Sequence, residues 1–331
     1  MNPIIAQLAG DVLAGRLLDA DQADTLARID GDELYDLFYW ANAVRTKHFG
    51  RSVTFCSIAA GKVGACSEDC RFCAQSARYA THVAAEPRAT TDQLVEAARQ
   101  GSAGGAKWFG IVNSGRAAGR ADIDQVAAAV PRIAAAGLKD IAPCASLGCL
   151  TREQAVQLRQ AGLTRYHHNI ETSRRFFPQI VTTHTFDERI ETLRNARSAG
   201  MEICSGGIFN LGETWADRID MALTLRDLAV DMVPMNFLNP IPGTPLENRP
   251  AMAPLDVLKT ITLFRLLMPT TSLKMAGGRE VNLRELQSWM YYCGATSCMV
   301  GNYLTTCGRP GAVDRQLVAD LGLTVGECPR S

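Results

Sequence analysis

The sequence predicts an α/β protein, a closed (β/α)8 barrel of the TIM type with a helical extension at its N-terminus. From residue 51 onward, short β-branched or apolar runs alternate with amphipathic helical patterns. Eight such alternations follow one another, which is the number that closes a barrel. The chain has 331 residues, which leaves room for the roughly 250 that such a barrel needs. A doubly wound open sheet is the alternative that the same alternation allows.

The N-terminal part of the chain has a helical pattern. Apolar residues recur at helical spacing in residues 4–18, 20–27 and 32–45. Asp32 stands at the position of an N-cap before the last of these helices. We therefore expect three parts: a helical extension over residues 1–48, a barrel over residues 49–310 and a C-terminal tail over residues 311–331.

The barrel elements follow from the alternation of short apolar runs and helical patterns. The predicted strands are residues 53–58, 107–113, 140–145, 165–170, 202–208, 232–238, 272–276 and 297–301. The predicted helices are residues 91–100, 122–136, 152–161, 186–198, 215–228, 254–267 and 283–293. Thr90 and Thr151 are the expected N-caps of the first and third of these helices.

Composition limits the partners and the compartment. Acidic and basic residues balance at 34 each, which argues against nucleic acid or an anionic membrane surface as the main partner. The longest apolar runs, such as residues 261–268, are too short to span a bilayer. The chain has 11 cysteines and no basic and apolar leader at its start. We therefore expect a cytoplasmic protein that uses thiols as ligands.

The most informative motif is the CxxxCxxC spacing of Cys66, Cys70 and Cys73, directly after the first predicted strand. Three thiolates are one fewer than usually hold an iron–sulfur cluster, so a [4Fe–4S] cluster bound here keeps one iron open for a small molecule. A zinc site would need a second ligand pair about 12 to 20 residues away. None follows, since the next cysteine is Cys144 and His82 stands alone. Zinc and ordinary buried cysteines stay open as alternatives.

Further candidates lie near the ends of other predicted strands, where the loops of a barrel gather. Cys144 ends the third strand, Cys204 lies in the fifth, and Arg279 follows the seventh. Each alone indicates a small buried residue or a loop charge. Together they converge on one interior, where two thiolates and a guanidinium could frame a second iron–sulfur centre.

The fourth predicted strand closes on a polar segment. His167 and His168 are adjacent and point to opposite faces, so they cannot ligate one ion. Asn169 and Glu171 share a face with His167 and suit hydrogen bonds to a ribose or a urea group. The same end of the barrel gains neutral hydrogen-bonding groups from Asn236, Thr305 and Thr306.

With these residues assembled, the sequence resembles the biotin synthase family of radical S-adenosylmethionine (SAM) enzymes, over about residues 39–306. Five strings carry the resemblance: residues 65–76, 166–173, 203–208, 243–246 and 276–280. The resemblance implies that Cys66, Cys70 and Cys73 ligate a [4Fe–4S] cluster whose open iron binds SAM. It also implies that reductive cleavage of SAM gives a 5′-deoxyadenosyl radical, which takes hydrogen atoms from dethiobiotin. Sulfur from an auxiliary [2Fe–2S] cluster would then complete biotin.

The resemblance also implies roles for individual residues. No side chain is assigned a catalytic role, since clusters and SAM carry the chemistry. The residues implied to contact SAM are Phe72, Asn169, Glu171 and Arg189, with Glu171 where the family often has Asp. Those implied to contact dethiobiotin are Asn169, Asn236, Thr305 and Thr306. A flavodoxin or ferredoxin electron donor and a homodimer are the further partners implied.

One departure concerns the auxiliary cluster, for which the family commonly supplies three cysteines and an arginine. Cys144, Cys204 and Arg279 match three of these ligands, but the remaining cysteine falls at Gly110. Another group completes the cluster, or an iron stays open to an external thiol, or the cluster is absent. The spare cysteines are Cys56 and Cys149.

Two other functions stay open on the sequence. One is a radical SAM enzyme of the hydrogenase-maturation or methylornithine-synthase type, which does not insert sulfur. The other is a non-catalytic iron–sulfur carrier or redox sensor, which would not bind SAM.

Overall fold

Three helices lead into the sheet in the computed structural model, which describes residues 1–138 and 141–326. They are α1 (Pro3–Leu13), α2 (Ala20–Ala27) and α3 (Glu33–Phe49). The first two begin with side-chain caps, since Asn2 and Asp19 accept backbone N–H groups of the first turn. Asp32 directly precedes α3 as predicted, but it has helical backbone angles and its side chain makes no capping hydrogen bond.

The strands of the described residues form one parallel sheet that closes on itself. They are β1 (Ser52–Lys62), β2 (Ala106–Asn113), β3 (Ala142–Ser146), β4 (Arg165–His167), β5 (Glu202–Cys204), β6 (Gly207–Phe209), β7 (Met232–Phe237), β8 (Ser272–Met275), β9 (Ser297–Met299) and β10 (Thr324–Val325). Neighbouring strands pair from β1 round to β9, and β9 pairs back onto β1. Short β5 and β6 both pair with β7 and together fill one barrel position. The predicted closed barrel is therefore confirmed, and the open sheet is not.

Helices alternate with the strands and cover the outside of the barrel. They are α4 (Thr91–Ala103), α5 (Arg120–Ala135), α6 (Arg152–Gln160), α7 (Phe186–Ser198), α8 (Trp215–Asp227), α9 (Pro254–Leu267), α10 (Arg279–Leu283), α11 (Trp289–Tyr292) and α12 (Gly311–Asp320). The predicted caps at Thr90 and Thr151 are confirmed, each with a full capping box. The predicted helix over residues 283–293 is wrong, because Arg284 has φ of 50° and breaks the pattern between α10 and α11.

The predicted strands differ from the structure at their ends, most clearly the third and the fourth. The third predicted strand begins at Asp140, which lies outside the described residues, and β3 begins at Ala142. The fourth ends at His167 rather than at residue 170. The chain then turns toward Glu171, whose φ of 69° no extended strand allows.

The C-terminal tail packs onto the barrel. Helix α12 carries Asp314, which is fully buried. Strand β10 pairs in parallel with the start of β1, with Thr324 opposite Ser52. Residues 327–331 of the predicted tail lie outside the described residues. The division of the chain at residues 48 and 310 stays a prediction.

Candidate active site

The barrel encloses a cavity of about 310 Å³ at the C-terminal half of its strands. The strands of the barrel contribute residues to its lining. From the first four strands these are Cys56, Ser57 and Ile58, then Trp108, Gly110 and Val112, then Cys144, Ala145 and Ser146, and finally Arg165 and His167.

A second cavity of about 170 Å³ adjoins the first. The residues that line both are Phe72, Cys73, Gln75, Ser146, His167 and Asn169. Two molecules bound in these cavities would therefore lie side by side, because the same residues form part of both cavity walls.

The loop after β1 brings the three motif cysteines to the smaller cavity. The loop closes on itself, because Cys66 N donates to Gln75 O (3.1 Å) and Ala77 N donates to Cys66 O (2.8 Å). Asp69 ties it to the segment before α7 by accepting N–H groups of Thr182 (2.9 Å) and Thr183 (3.2 Å). Although burial works against the carboxylate, these bonds lower the pKa of Asp69 to about 2. The loop is therefore held in place before any cofactor binds.

The three thiols fit a cluster by their donor chemistry. Burial raises the pKa of Cys73 to about 11 and that of Cys70 further, and a negative charge on any one thiol opposes ionisation of the others. Bound iron would replace the protons. No three His, Cys, Asp or Glu side chains of residues 1–138 and 141–326 are grouped closely enough to hold one metal ion. The three motif cysteines line one cavity, and a cluster in which each thiolate binds its own iron does not need all three on a single ion.

A buried chain of polar groups connects this loop with the far wall of the cavity. His184 Nδ1 lies 2.5 Å from Glu68 Oε2, and Arg189 Nε donates to His184 Nε2 (3.1 Å). Because Nε2 accepts, the imidazole is neutral and its proton lies on Nδ1, facing Glu68. Burial and the adjacent guanidinium lower the pKa of His184 and favour this neutral form. Arg189 Nη1 donates to Asn169 O (2.8 Å) and lies 3.5 Å from Glu171 Oε1.

Sequence reasoning named Arg189 but missed Glu68 and His184. Glu68 lies inside the CxxxCxxC motif, and His184 stands one residue before the N-cap Thr185 of α7. The signal available in the sequence was their position, since Glu68 lies among the motif cysteines and His184 lies five residues before Arg189. Their pairing could not be predicted, because 116 residues separate them.

Glu171 reaches the cavity wall through an unusual backbone turn. Its φ is 69°, its N–H donates to Gly206 O (3.1 Å) and its carbonyl accepts from Ile208 N (2.9 Å). Asn169 Nδ2 donates to Glu171 Oε2 (3.3 Å), so the side chains expected to share a face do meet. Burial raises the pKa of Glu171, partly offset by the charge of Arg189.

Gly207 makes that turn possible, and its replacement tests the arrangement. A Cβ at position 207 would lie 2.1 Å from the Glu171 carbonyl oxygen. We expect Gly207→Ala to lower the free energy of unfolding by about 1–3 kcal/mol, because backbone must move to relieve the overlap. Urea denaturation measures this. Gly10→Ala is the matched control, since nothing lies within 4 Å of that Cβ, and should raise stability by about 1 kcal/mol. Equal effects of both variants would contradict the assignment.

The adjacent histidines both line the smaller cavity, but only His167 lines the larger one as well. His167 lines the larger cavity, and its Nδ1 lies 3.3 Å from Cys204 Sγ. Burial lowers the pKa of His167 to about 3, so its imidazole is neutral. His168 does not line the larger cavity, and its buried Nε2 has no hydrogen-bond partner among the described residues.

The residues expected near the substrate all line the larger cavity: Asn169, Asn236, Thr305 and Thr306. Asn236 Nδ2 donates to Gly207 O (3.1 Å), and its Oδ1 accepts from Gly277 N (2.9 Å). This leaves one N–H and one lone pair of the amide for a ligand.

Cys144 and Cys204 also line the larger cavity, where the structure brings them together. A Cβ at Gly110 would lie 3.2 Å from Cys144 Sγ, so the missing family cysteine belongs beside Cys144. Lys274 of β8 lines the same cavity, with Nζ 3.7 Å from Cys204 Sγ. Sequence reasoning missed Lys274, although a lysine in an apolar strand was a signal for an inward-facing charge.

The structure does not bring Arg279 to these cysteines. Its guanidinium is fully buried away from the cavity and donates to Asp314 Oδ2 (2.6 Å) and Gln287 Oε1 (3.0 Å). Arg279 begins α10, beyond the end of β8. It therefore connects the barrel with α12, and the cation next to Cys204 is Lys274.

Comparisons with known proteins agree with the family resemblance that the sequence motifs indicated. Residues 62–225 match the radical SAM superfamily, and residues 234–324 match the Biotin and Thiamin Synthesis associated domain. The biotin synthase of Geobacter metallireducens is 47% identical over 329 residues, covering 99% of both chains. That of Heliobacterium modesticaldum is 50% identical over 326 residues, covering 98% of this chain and 99% of the relative.

Solved structures show the same fold at much lower identity. Methylornithine synthase (PylB) has a TM-score of 0.82 at 18% identity over 97% of both chains. The FeFe-hydrogenase maturase HydG from Carboxydothermus hydrogenoformans has a TM-score of 0.82 at 17% identity, covering 98% of this chain and 80% of that one. At such identities the likeness concerns the fold alone.

Proposed function

The chain belongs to the biotin synthase family of radical SAM enzymes, whose members insert sulfur into dethiobiotin, and we propose how its two cavities divide that reaction. The smaller cavity takes the [4Fe–4S] cluster and SAM, and the larger takes dethiobiotin. The observation that supports this division is that six residues line both cavities, so the two cavities adjoin. The hydrogenase-maturation and methylornithine-synthase alternatives are not favoured, since those structures share only the fold.

Cys66, Cys70 and Cys73 would hold the cluster, since their thiols line one cavity on a loop that is already fixed. When bound, the cluster and SAM supply electron transfer and hydrogen-atom abstraction. The protein supplies binding, orientation and a water-poor wall around the reacting atoms. Half-buried Ile208 and buried Phe237 and Leu238 contribute to that wall on the substrate side.

Four residues would position SAM. Arg189 lines the smaller cavity, and its Nη2 makes no hydrogen bond to the described residues, so this amino group can meet the SAM carboxylate. Glu171 and Asn169 would accept and donate hydrogen bonds at the ribose. Phe72 lines both cavities and would border the nucleoside.

Loss of the Arg189 guanidinium should weaken SAM binding. We expect Arg189→Met to raise the Kd for SAM about 10- to 100-fold, because a charge-assisted hydrogen bond contributes about 1.5–3 kcal/mol. Equilibrium binding to the anaerobic, cluster-loaded protein measures it. Arg197→Met is the control, since Arg197 lies on the same helix but pairs with surface Asp231 (3.0 Å). An unchanged Kd in Arg189→Met would contradict the role.

On the substrate side, amides and hydroxyls match dethiobiotin. An asparagine amide both donates and accepts, which is what a ureido ring requires, and Asn169 and Asn236 each line the cavity. Thr305 and Thr306 would lie near the carboxylate tail. Both belong to a segment held by Tyr303, whose hydroxyl donates to Ala276 O (3.1 Å).

The auxiliary [2Fe–2S] cluster does not fit the ligand set that the resemblance implied. Of the four expected ligands, only Cys144 and Cys204 line the cavity, since Gly110 has no side chain and Arg279 lies elsewhere. An auxiliary cluster at this site therefore needs ligands other than the four that the family resemblance implied.

The remaining partners rest on the resemblance. We propose a flavodoxin or ferredoxin as the electron donor, a homodimer, and the cytoplasm as the compartment. Among the residues that the structure describes, no helix combines the length and the apolar character needed to cross a bilayer. We also propose the division of the chain into residues 1–48, 49–310 and 311–331.

An anaerobic assay of the reconstituted protein tests the function. It contains SAM, dethiobiotin, and dithionite or reduced flavodoxin, and products are measured by mass spectrometry. Biotin together with 5′-deoxyadenosine is the expected result. Deoxyadenosine without biotin would contradict sulfur insertion. If neither product forms, the whole assignment is contradicted.

A further inference from the structure

A third cysteine lies with Cys144 and Cys204 in the barrel interior. Cys56 of β1 is 3% exposed and lines the larger cavity. It packs with Cys204, Met232 and Trp108 in a small cluster separate from the main hydrophobic core. Strand β1 pairs with β2, where Cys56 lies opposite Trp108, two residues before Gly110. A thiol absent from β2 is thus present on the neighbouring strand.

A buried cation lies beside one of these sulfurs, since Lys274 Nζ is 3.7 Å from Cys204 Sγ. Lys274 is 5% exposed and has no carboxylate partner among the described residues. A buried ammonium is costly unless a negative group lies beside it. Cys56 and Cys144 line the same cavity as Lys274 and Cys204.

An iron–sulfur cluster would supply the negative group that the buried ammonium lacks. Iron binding deprotonates thiols, and a cluster held by thiolates places negative charge next to Lys274. His167 would add a hydrogen bond, since its Nδ1 lies 3.3 Å from Cys204 Sγ. Such bonds to ligating sulfurs stabilise clusters and set their potentials.

The other spare cysteine lies elsewhere. Cys149 lines only the smaller cavity, and its thiol interacts with the Thr192 side chain. It therefore faces the SAM side of the site.

We propose that Cys56, Cys144 and Cys204 ligate the auxiliary iron–sulfur cluster of this chain, with Lys274 as the adjacent positive charge. This inference rests on the proposed function. It replaces the absent cysteine at Gly110 by a thiol of β1 and the expected arginine by a lysine that does not ligate.

The test measures protein-bound iron rather than turnover. The background variant Cys66→Ala/Cys70→Ala/Cys73→Ala removes the SAM cluster, so the iron, sulfide and Mössbauer spectrum that remain report the second site. We expect the background to retain a cluster. Adding Cys56→Ser should weaken iron binding about tenfold or more. Mutation of a residue that only hydrogen-bonds to a metal ligand already lowers metal affinity by about that factor. Lys274→Met should weaken it about tenfold, and Lys274→Arg should restore it.

Two matched cysteine variants serve as controls. Cys149→Ser changes the other spare thiol, and Cys293→Ser changes a buried thiol that lines neither cavity. Neither should change the iron content, and circular dichroism verifies folding of every variant. Full iron and an unchanged spectrum in Cys56→Ser would overturn the proposal, as would a background without iron. Because no turnover is measured, these outcomes are distinct from failure of the biotin assay.

A cysteine restored at position 110 gives an independent test. A Cβ there would lie 3.1 Å from Ile58 Cγ2 as well as close to Cys144, so little room remains for a fourth thiol. We expect Gly110→Cys to raise neither iron content nor turnover, because Cys56 already completes the set. An increase in both would contradict the proposal.

Discussion

Cys70→Ala is expected to abolish SAM cleavage while leaving the fold largely intact. Cys70 supplies one of only three thiolates, and its loss leaves two iron positions of the cluster without protein ligands. We expect formation of 5′-deoxyadenosine to fall about a thousandfold or more, because members of a unit that acts together are not individually dispensable. Mass spectrometry of products from the reduced, reconstituted protein measures it.

The fold should survive because other contacts hold the loop. The backbone bonds of Cys66 and the Asp69 contacts to Thr182 and Thr183 do not involve the Cys70 side chain. Cys293→Ala is the control, since this cysteine is equally buried but lines neither cavity. Sustained cleavage in Cys70→Ala, or its loss in the control as well, would contradict the site.

Arg279→Met is expected to cause the largest loss of stability. The Arg279 and Asp314 side chains are both 0% exposed and form a 2.6 Å ion pair between α10 and α12. Removing one partner leaves the other charge buried, which costs about 3–5 kcal/mol. Chemical denaturation should show this loss as an earlier unfolding midpoint.

A double variant separates the broken pair from simple loss of packing. Arg279→Met/Asp314→Leu should recover most of the stability, because well-packed apolar residues can replace a buried ion pair. Arg16→Met, which removes a largely exposed arginine, should change stability by no more than about 0.5 kcal/mol. Iron content at the second site should be unchanged in the folded Arg279→Met protein. Selective loss of that iron would instead support Arg279 as a ligand.

The barrel and the SAM-cluster motif could be predicted because their signals are local. Strand and helix periods show in windows of a few residues, and Cys66, Cys70 and Cys73 lie within one loop. Their proximity needed no knowledge of how distant segments pack. The match to the radical SAM superfamily and the similarity to biotin synthases agree with the predicted barrel and cluster motif.

The auxiliary site could not be predicted in the same way, because its residues come from separate strands. Whether Lys274 or Arg279 approaches Cys204 depends on where β8 ends and which of its residues face inward. The choice between Cys56 and Cys149 depends likewise on which cavity each strand or loop reaches. In the sequence, the members of each pair look alike, since one pair consists of two cationic side chains and the other of two thiols.

The sequence by itself determined the α/β barrel, the three-thiolate motif and the family to which the chain belongs. Only the tertiary structure decided that Arg279 binds Asp314, that Lys274 approaches Cys204, and that His184 orients Arg189. The physical reason is that periodicity and spacing act along the chain. Burial, charge pairing and the convergence of strands act across it, and they exist only once the barrel has closed.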